Sequence, residues 1–171
     1  MDFTNLCNER FSVRSFSDRK VEEEKIAQIL ELVRKAPTAK NNQPYEIFVA
    51  KTDSALQKIK SVKENIFNAQ LVFVICSDGE KAWRNPFSGT PATLQDIGII
   101  ATTTMYACQN FGVDNIYVCA FDPVKMKEVL NLSDNLLPEC IILAGYKTDD
   151  CQPSPRHWER REIKDFVHEI E

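Results

Sequence analysis

The chain has 171 residues, 43% of them hydrophobic, enough to bury one sizeable core, and a single domain over residues 1–171 is expected. A net charge of −4 repels a phosphate backbone, which argues against nucleic acid as a partner and requires any anion site to be built locally. Six cysteines with no CxxC pair, four of them inside apolar runs, read as buried reduced thiols, and two histidines without ligand spacing leave no metal site.

The polar, acidic start lacks the basic and apolar regions of a leader peptide, and no later stretch has the length and apolarity of a membrane span. The expected location is the cytoplasm, with no membrane partner.

In chain order, the segment before Arg10 reads as a short helix. Arg10, Ser12 and Arg14 then alternate with Phe11 and Val13, so an extended segment projects all three polar side chains to one face. Two guanidinium groups and a hydroxyl at that spacing suit a phosphate monoester beside a polar ring. The alternative is an exposed basic turn paired with Asp18 or Glu22 to Glu24. Residues 22–36 carry Ile26, Ile29, Leu30 and Val33 at helical spacing, with Arg34 and Lys35 in the last turn and Pro37 as the stop.

Residues 37–45, PTAKNNQPY, form a polar loop whose amides offer donors and acceptors together, as reading a flavin's pyrimidine edge requires. A solvated helix-to-strand connection is the alternative. Strands are expected at 46–51, 70–77, 115–122 and 140–146, all in one sheet, and helices at 53–63, capped by Asp53, and at 123–130. Residues 93–111 are apolar or small on almost every side and predict a helix buried all round, at the centre of the monomer or, preferably, at a seam between two subunits. Asp96 within it reads as a polar residue favoured by the helix dipole. From His157 onward, Trp158, Ile163, Phe166, Val167 and Ile170 predict an amphipathic tail helix packed on its own subunit or laid over a partner.

Taken together, RFSVRSF, PTAKNNQPY, the apolar helix with Asp96, GYK and PSPR resemble the FMN-dependent nitroreductase family over nearly the whole chain. The resemblance implies an α+β fold: a central, mostly antiparallel sheet of four to five strands flanked by helices, with the long buried helix at a dimer interface. It implies that Arg10 and Ser12, with Arg156, hold the phosphate of FMN, and that Phe11 lies in the cofactor site. Arg14 would lie beside the ribityl chain and pyrimidine ring, where its charge stabilises reduced flavin. Pro37, Thr38 (in place of a common serine), Asn41 and Gln43 match the loop that contacts the isoalloxazine.

Further implications are hydride transfer from NAD(P)H through flavin N5 to an electron-poor acceptor, such as a nitroaromatic or quinone, by ping-pong turnover. No catalytic side chain is needed, and each FMN would lie between the subunits of a homodimer. The alternative is a flavin-binding or electron-accepting module without its own NAD(P)H reaction. Tyr45, Lys147 and FGVDN depart from the family pattern around the substrate side and leave the acceptor open.

Overall fold

The computed structural model describes residues 2–170. Its elements run α1 (Phe3–Glu9), α2 (Glu23–Val33), β1 (Tyr45–Ala50), α3 (Asp53–Val62), β2 (Leu71–Asp78), α4 (Thr93–Asn110), β3 (Asp114–Val118), α5 (Pro123–Leu130) and β4 (Leu136–Gly145). The strands form one sheet in the order β1-β2-β4-β3, with every pair antiparallel. This is the α+β architecture that the motifs led us to expect.

Local chemistry sets most helix ends. Asp122 accepts from the backbone N–H of Val124 and Lys125, Pro123 opens α5, and Asn131 closes it in the left-handed region at φ 53°. The expected cap of α3 is corrected: Thr52, not Asp53, accepts from Ala55 N, leaving Asp53 free to pair with Lys20 at 2.9 Å. Helix α2 ends at Val33 rather than 36, because Lys35 N and Ala36 N bond three residues back to Leu32 and Val33, tightening the chain ahead of Pro37. Arg34 and Lys35 therefore lie beyond its last turn.

Two strand boundaries also differ. Strand β4 begins at Leu136, ahead of the expected residue 140, because it must match all eight residues of β2. A register shift between Ile75 and Cys76 admits Pro138 into the ladder. Strand β3 stops at Val118, short of 122, where Phe121 N turns back onto Cys119 O ahead of α5.

Every residue of β2 is buried, and alternation divides them between two cores. Leu71, Phe73 and Ile75 pack with Ile29 and Val33 of α2 and Ile97 and Ile100 of α4. Val72, Val74 and Cys76 pack on the opposite face with Leu56 and Ile59 of α3 and Met126 of α5.

Helix α4 is not buried all round. Ile97, Ile100, Ala101, Thr104, Ala107 and Cys108 face the core, while Leu94, Gly98, Ile99 and Thr102 form an exposed apolar or small-residue stripe, with Leu94 67% exposed. Gly112, at φ 67°, supplies the left-handed residue that ends this helix and turns the chain into β3. The expected tail helix is corrected as well: beyond β4 the tail has only single 3₁₀ turns at Pro155–Trp158 and Ile163–Asp165. Trp158, Ile163, Phe166, Val167 and Ile170 are all exposed, so no surface of the same chain rewards closing a helix there. No helix among the described residues is long and apolar enough to cross a membrane.

One cluster ties the start of α2 to the end of β4. Tyr146 donates its hydroxyl proton to Glu22 and accepts from Lys25 Nζ at 2.9 Å, with Arg19 over its ring at 4.0 Å. The Tyr146 hydrogen bond, followed by that from Arg19, holds the Glu22 carboxyl down at about 2. A depressed carboxylate stabilises the fold fully above its unfolded pKa, near 4.5, and that contribution is lost as pH falls toward 2. A carboxyl-carbon NMR titration is expected to place Glu22 near 2 in the wild type and clearly higher in Tyr146→Phe, where Arg19 still holds it below the ordinary glutamate range; an ordinary midpoint in the wild type would contradict this cluster.

Candidate functional site

The N-terminal segment is pinned to one end of the sheet. Val13 and Phe16 are buried, Val13 N donates to Asn115 O at 3.2 Å, and Ser17 N donates to Tyr146 O at 2.8 Å. Asn68 reinforces this with an amide N–H to Phe16 O at 3.1 Å. A Cβ at Gly145 would sit 3.2 Å from the Phe16 ring, so a larger residue there would push on the packing of this segment against β4. The alternation of buried and outward residues leaves Ser12 and Arg14 facing a cleft.

That cleft, about 200 Å³, is lined by Ser12, Arg14, Ser154, Arg156 and His157. Two arginines and two hydroxyls converge on a small polar space in a chain whose net charge is −4. Among the described residues Arg14 makes no ion pair; its side chain bonds only Ser12 O, at 3.3 Å. Arg156 has only an exposed contact with Glu159 at 4.0 Å. The alternative of a basic turn neutralised by Asp18 or Glu22 to Glu24 therefore fails for Arg14: Glu22 pairs with Arg19 and Lys25, and Asp18 accepts from Asn68.

Arg10 does not line the cleft. It lies alongside, where its charge acts on Tyr106 and His157. Burial, then the Arg160 and Arg10 charges, lower the His157 pKa, as a local excess of positive charge would. Phe11 packs into the second core and meets His157 edge-on at 6.2 Å. Ser154 and His157 were missed by the sequence reading although they flank Arg156 in SPRH. Their neighbourhood was the available signal.

The second group of expected residues lies in the loop before β1. Pro37 is exposed at its entrance. Lys40, Asn41 and Gln43 all adopt left-handed backbone, at φ 53°, 56° and 52°. Side chains hold that shape: Thr38 Oγ1 accepts from Gln43 N at 3.0 Å, Gln43 Nε2 donates to Asn41 O at 3.3 Å, and Asn42 Nδ2 donates to Lys81 O at 3.0 Å. The Asn41 side chain is exposed, and its amide makes no hydrogen bond among the described residues.

Asp96 does more than face a helix dipole. Only 2% exposed, it accepts from Ala39 N through Oδ1 at 2.9 Å and so ties α4 to this loop; its Oδ2 has no partner. A lone carboxylate in an otherwise apolar helix was the signal in the sequence, and its partner, 57 positions away, was not visible there.

The two groups lie at opposite ends of the sheet. Asn115, the anchor of the Ser12 segment, pairs with Ala144, which pairs with Leu71 at the start of β2. The loop instead meets the other end, where Tyr45 pairs with Ser77 and Asp78 N bonds Pro44 O at 2.9 Å. Seven residue steps of β2 separate them, roughly 23 Å at about 3.3 Å per residue.

Comparison with known proteins places this geometry among relatives. The model of the nitroreductase family matches residues 8–63 and 60–146. The crystal structure of a nitroreductase family protein from Clostridium difficile 630 is 34% identical and superposes with a TM-score of 0.91, covering 98% of each chain. The FMN reductase (NAD(P)H) of Bacillus subtilis strain 168 is 23% identical over 163 residues, 85% of this chain and 66% of its own length. A protein of Exiguobacterium sibiricum 255-15 in complex with FMN shares the fold, with a TM-score of 0.86 at 19% identity, covering 99% of this chain and 98% of its own.

Proposed function

The chain belongs to the nitroreductase family, and on that footing we propose that it is a cytoplasmic, homodimeric, FMN-dependent NAD(P)H oxidoreductase whose flavin sites are shared between protomers. The observation that carries the shared site is the separation of the two polar groups. The Ser12, Arg14 and Arg156 cleft and the Thr38 to Gln43 loop are roughly 23 Å apart along β2, farther than the phosphate and pyrimidine edge of one FMN reach. A two-fold dimer that packs the exposed stripe of α4 against its copy brings one protomer's cleft toward the other's loop. The exposed apolar tail supports the same assembly.

The cleft fits a phosphate dianion. Arg156 supplies fixed charge, Ser12 and Ser154 supply hydroxyl donors, Arg10 raises the local potential from the side, and Arg14 extends beside the ribityl chain toward the ring. From the partner, Asn41 presents a free amide to the ring edge, Gln43 and Pro37 frame it, and Thr38 keeps the loop closed. Bound there, FMN supplies two-electron hydride chemistry between a nicotinamide and an electron-poor acceptor, such as a nitroaromatic or a quinone, in ping-pong turnover. The residues of this chain bind, orient and stabilise charge; none is needed as an acid or base.

Arg14 is the residue placed to stabilise negative charge on the reduced cofactor. Arg14→Ala is expected to lower the two-electron midpoint potential by roughly 30–60 mV, the equivalent of a charge interaction on the order of 1.5–3 kcal/mol. An unchanged potential with FMN bound would remove that role.

The deciding experiment for the whole reading is anaerobic addition of NADH or NADPH to the FMN-loaded protein. Bleaching of the flavin bands, with recovery on adding a quinone, supports the oxidoreductase. Flavin that stays oxidised would point to a module loaded by another electron donor.

A further inference from the structure

Three cysteines, Cys76, Cys108 and Cys140, are fully buried, but Cys119, read from its apolar run NIYVCAFD as interior, is exposed. The ladder between β3 and β4 ends with Tyr117 paired to Ile142 and Val118 to Ile141, and the same register carried one step past the end of β3 sets Cys119 opposite Cys140. Opposed residues of antiparallel strands have Cα atoms about 4.5–5.5 Å apart, within the roughly 4.4–6.8 Å that a disulfide spans. Both thiols also meet one hydroxyl. Cys119 Sγ donates to Tyr117 Oη at 2.9 Å, and the same hydroxyl acts on the Cys140 thiol. Cys119 follows Tyr117 by two residues, and the Sγ–Oη contact puts both side chains on one face, in agreement with that register.

We infer that Cys119 and Cys140 are a dithiol that peroxide oxidises to a cross-strand disulfide. The exposed Cys119 sulfur attacks a peroxide oxygen; the O–O bond breaks, leaving a sulfenic acid and one hydroxide that leaves as water. The Cys140 sulfur then displaces the sulfenic hydroxyl, forming the S–S bond and releasing a second water. Two thiols together give up two electrons and two protons, and one hydrogen peroxide becomes two waters. The division of labour follows from position. Burial pushes the Cys140 thiol up to about 12, so it is a poor first nucleophile and serves as the resolving sulfur once an electrophile stands across the strand. Closure anchors the end of β3, just ahead of the turn into α5, to the central strand β4. It also takes Cys119 away from the Tyr117 hydroxyl.

The test treats reduced, FMN-loaded protein with stoichiometric hydrogen peroxide, followed by acid quench, alkylation and peptide mapping. The expected result is loss of two of the six thiols, a mass lower by two hydrogens, and a Cys119–Cys140 cross-linked peptide that dithiothreitol abolishes. Cys119→Ser, a surface change that leaves the core intact, should lose the cross-link, whereas Cys7→Ser should keep it. Accumulation of Cys119 sulfinic acid with Cys140 still free would overturn the inference. So would a peroxide-dependent disulfide that persists in Cys119→Ser.

Discussion

A mixed dimer of one protomer carrying Arg14→Ala and Arg156→Ala with one carrying Asn41→Ala and Gln43→Ala is expected to bind one FMN tightly, although neither parent homodimer does. The first parent loses one charge-assisted contact to phosphate and one beside the ribityl chain and ring, each worth about 1.5–3 kcal/mol, so its affinity falls on the order of 100-fold or more. The second loses two amides, and at Asn41, with φ 56°, asparagine tolerates the left-handed backbone better than alanine. With roughly 1 kcal/mol of strain at position 41 added to the lost hydrogen bonds, its affinity should fall about 10- to 100-fold. In the mixed dimer, a site made from one protomer's cleft and the other's loop is wild-type at one position and doubly defective at the other. Flavin stoichiometry by absorbance on tagged, separated heterodimers reads this directly. Sites contained within single chains would each carry one defect, and the mixed dimer would then bind no better than its parents.

Asp96→Ala is expected to cost FMN affinity roughly 10- to 100-fold while leaving the melting temperature within a few degrees of wild type. The loop holds three non-glycine residues in left-handed backbone, each unfavourable by about 1 kcal/mol or more, and Asp96 secures it by accepting from Ala39 N. Removing the carboxylate frees the loop to relax and removes a contact worth about 1.5–3 kcal/mol. The fold itself loses less, because Asp96 Oδ2 is buried without a partner and its removal relieves a desolvation cost that offsets part of the loss. Asp96→Asn keeps the Oδ1 acceptor in the same shape and should restore affinity to within a few-fold. Equal FMN binding by the wild type and by Asp96→Ala, measured by fluorescence quenching, would show that the loop keeps its shape without this tether.

Much of the architecture was legible before any coordinates, for local reasons. Apolar runs marked the four strands, helical spacing marked α2, a run of apolar and small residues marked α4, and Asp122 followed by Pro123 marked the start of α5. The errors share a cause. Thr52 rather than Asp53 caps α3, and β4 starts at Leu136, because a cap depends on backbone geometry at the first turn and a strand's length depends on its neighbour. Cys119 read as buried because its apolar run continues past the point where β3 leaves the sheet. The tail read as a helix because spacing alone does not reveal whether anything lies beneath it.

By itself, then, the sequence determined which elements form and which short motifs carry polar chemistry, since turns, caps and periodicity are properties of neighbours along the chain. Only the tertiary structure decided where those motifs stand. The antiparallel course of β1 and β2 carries PTAKNNQPY to the Ser77 end of the sheet, while the ladder through β4 and β3 holds RFSVRSF at the Leu71 end. Strand pairing over long separations sets that arrangement, and it is why the two polar motifs stand apart in one chain and Asp96 finds a loop 57 residues away.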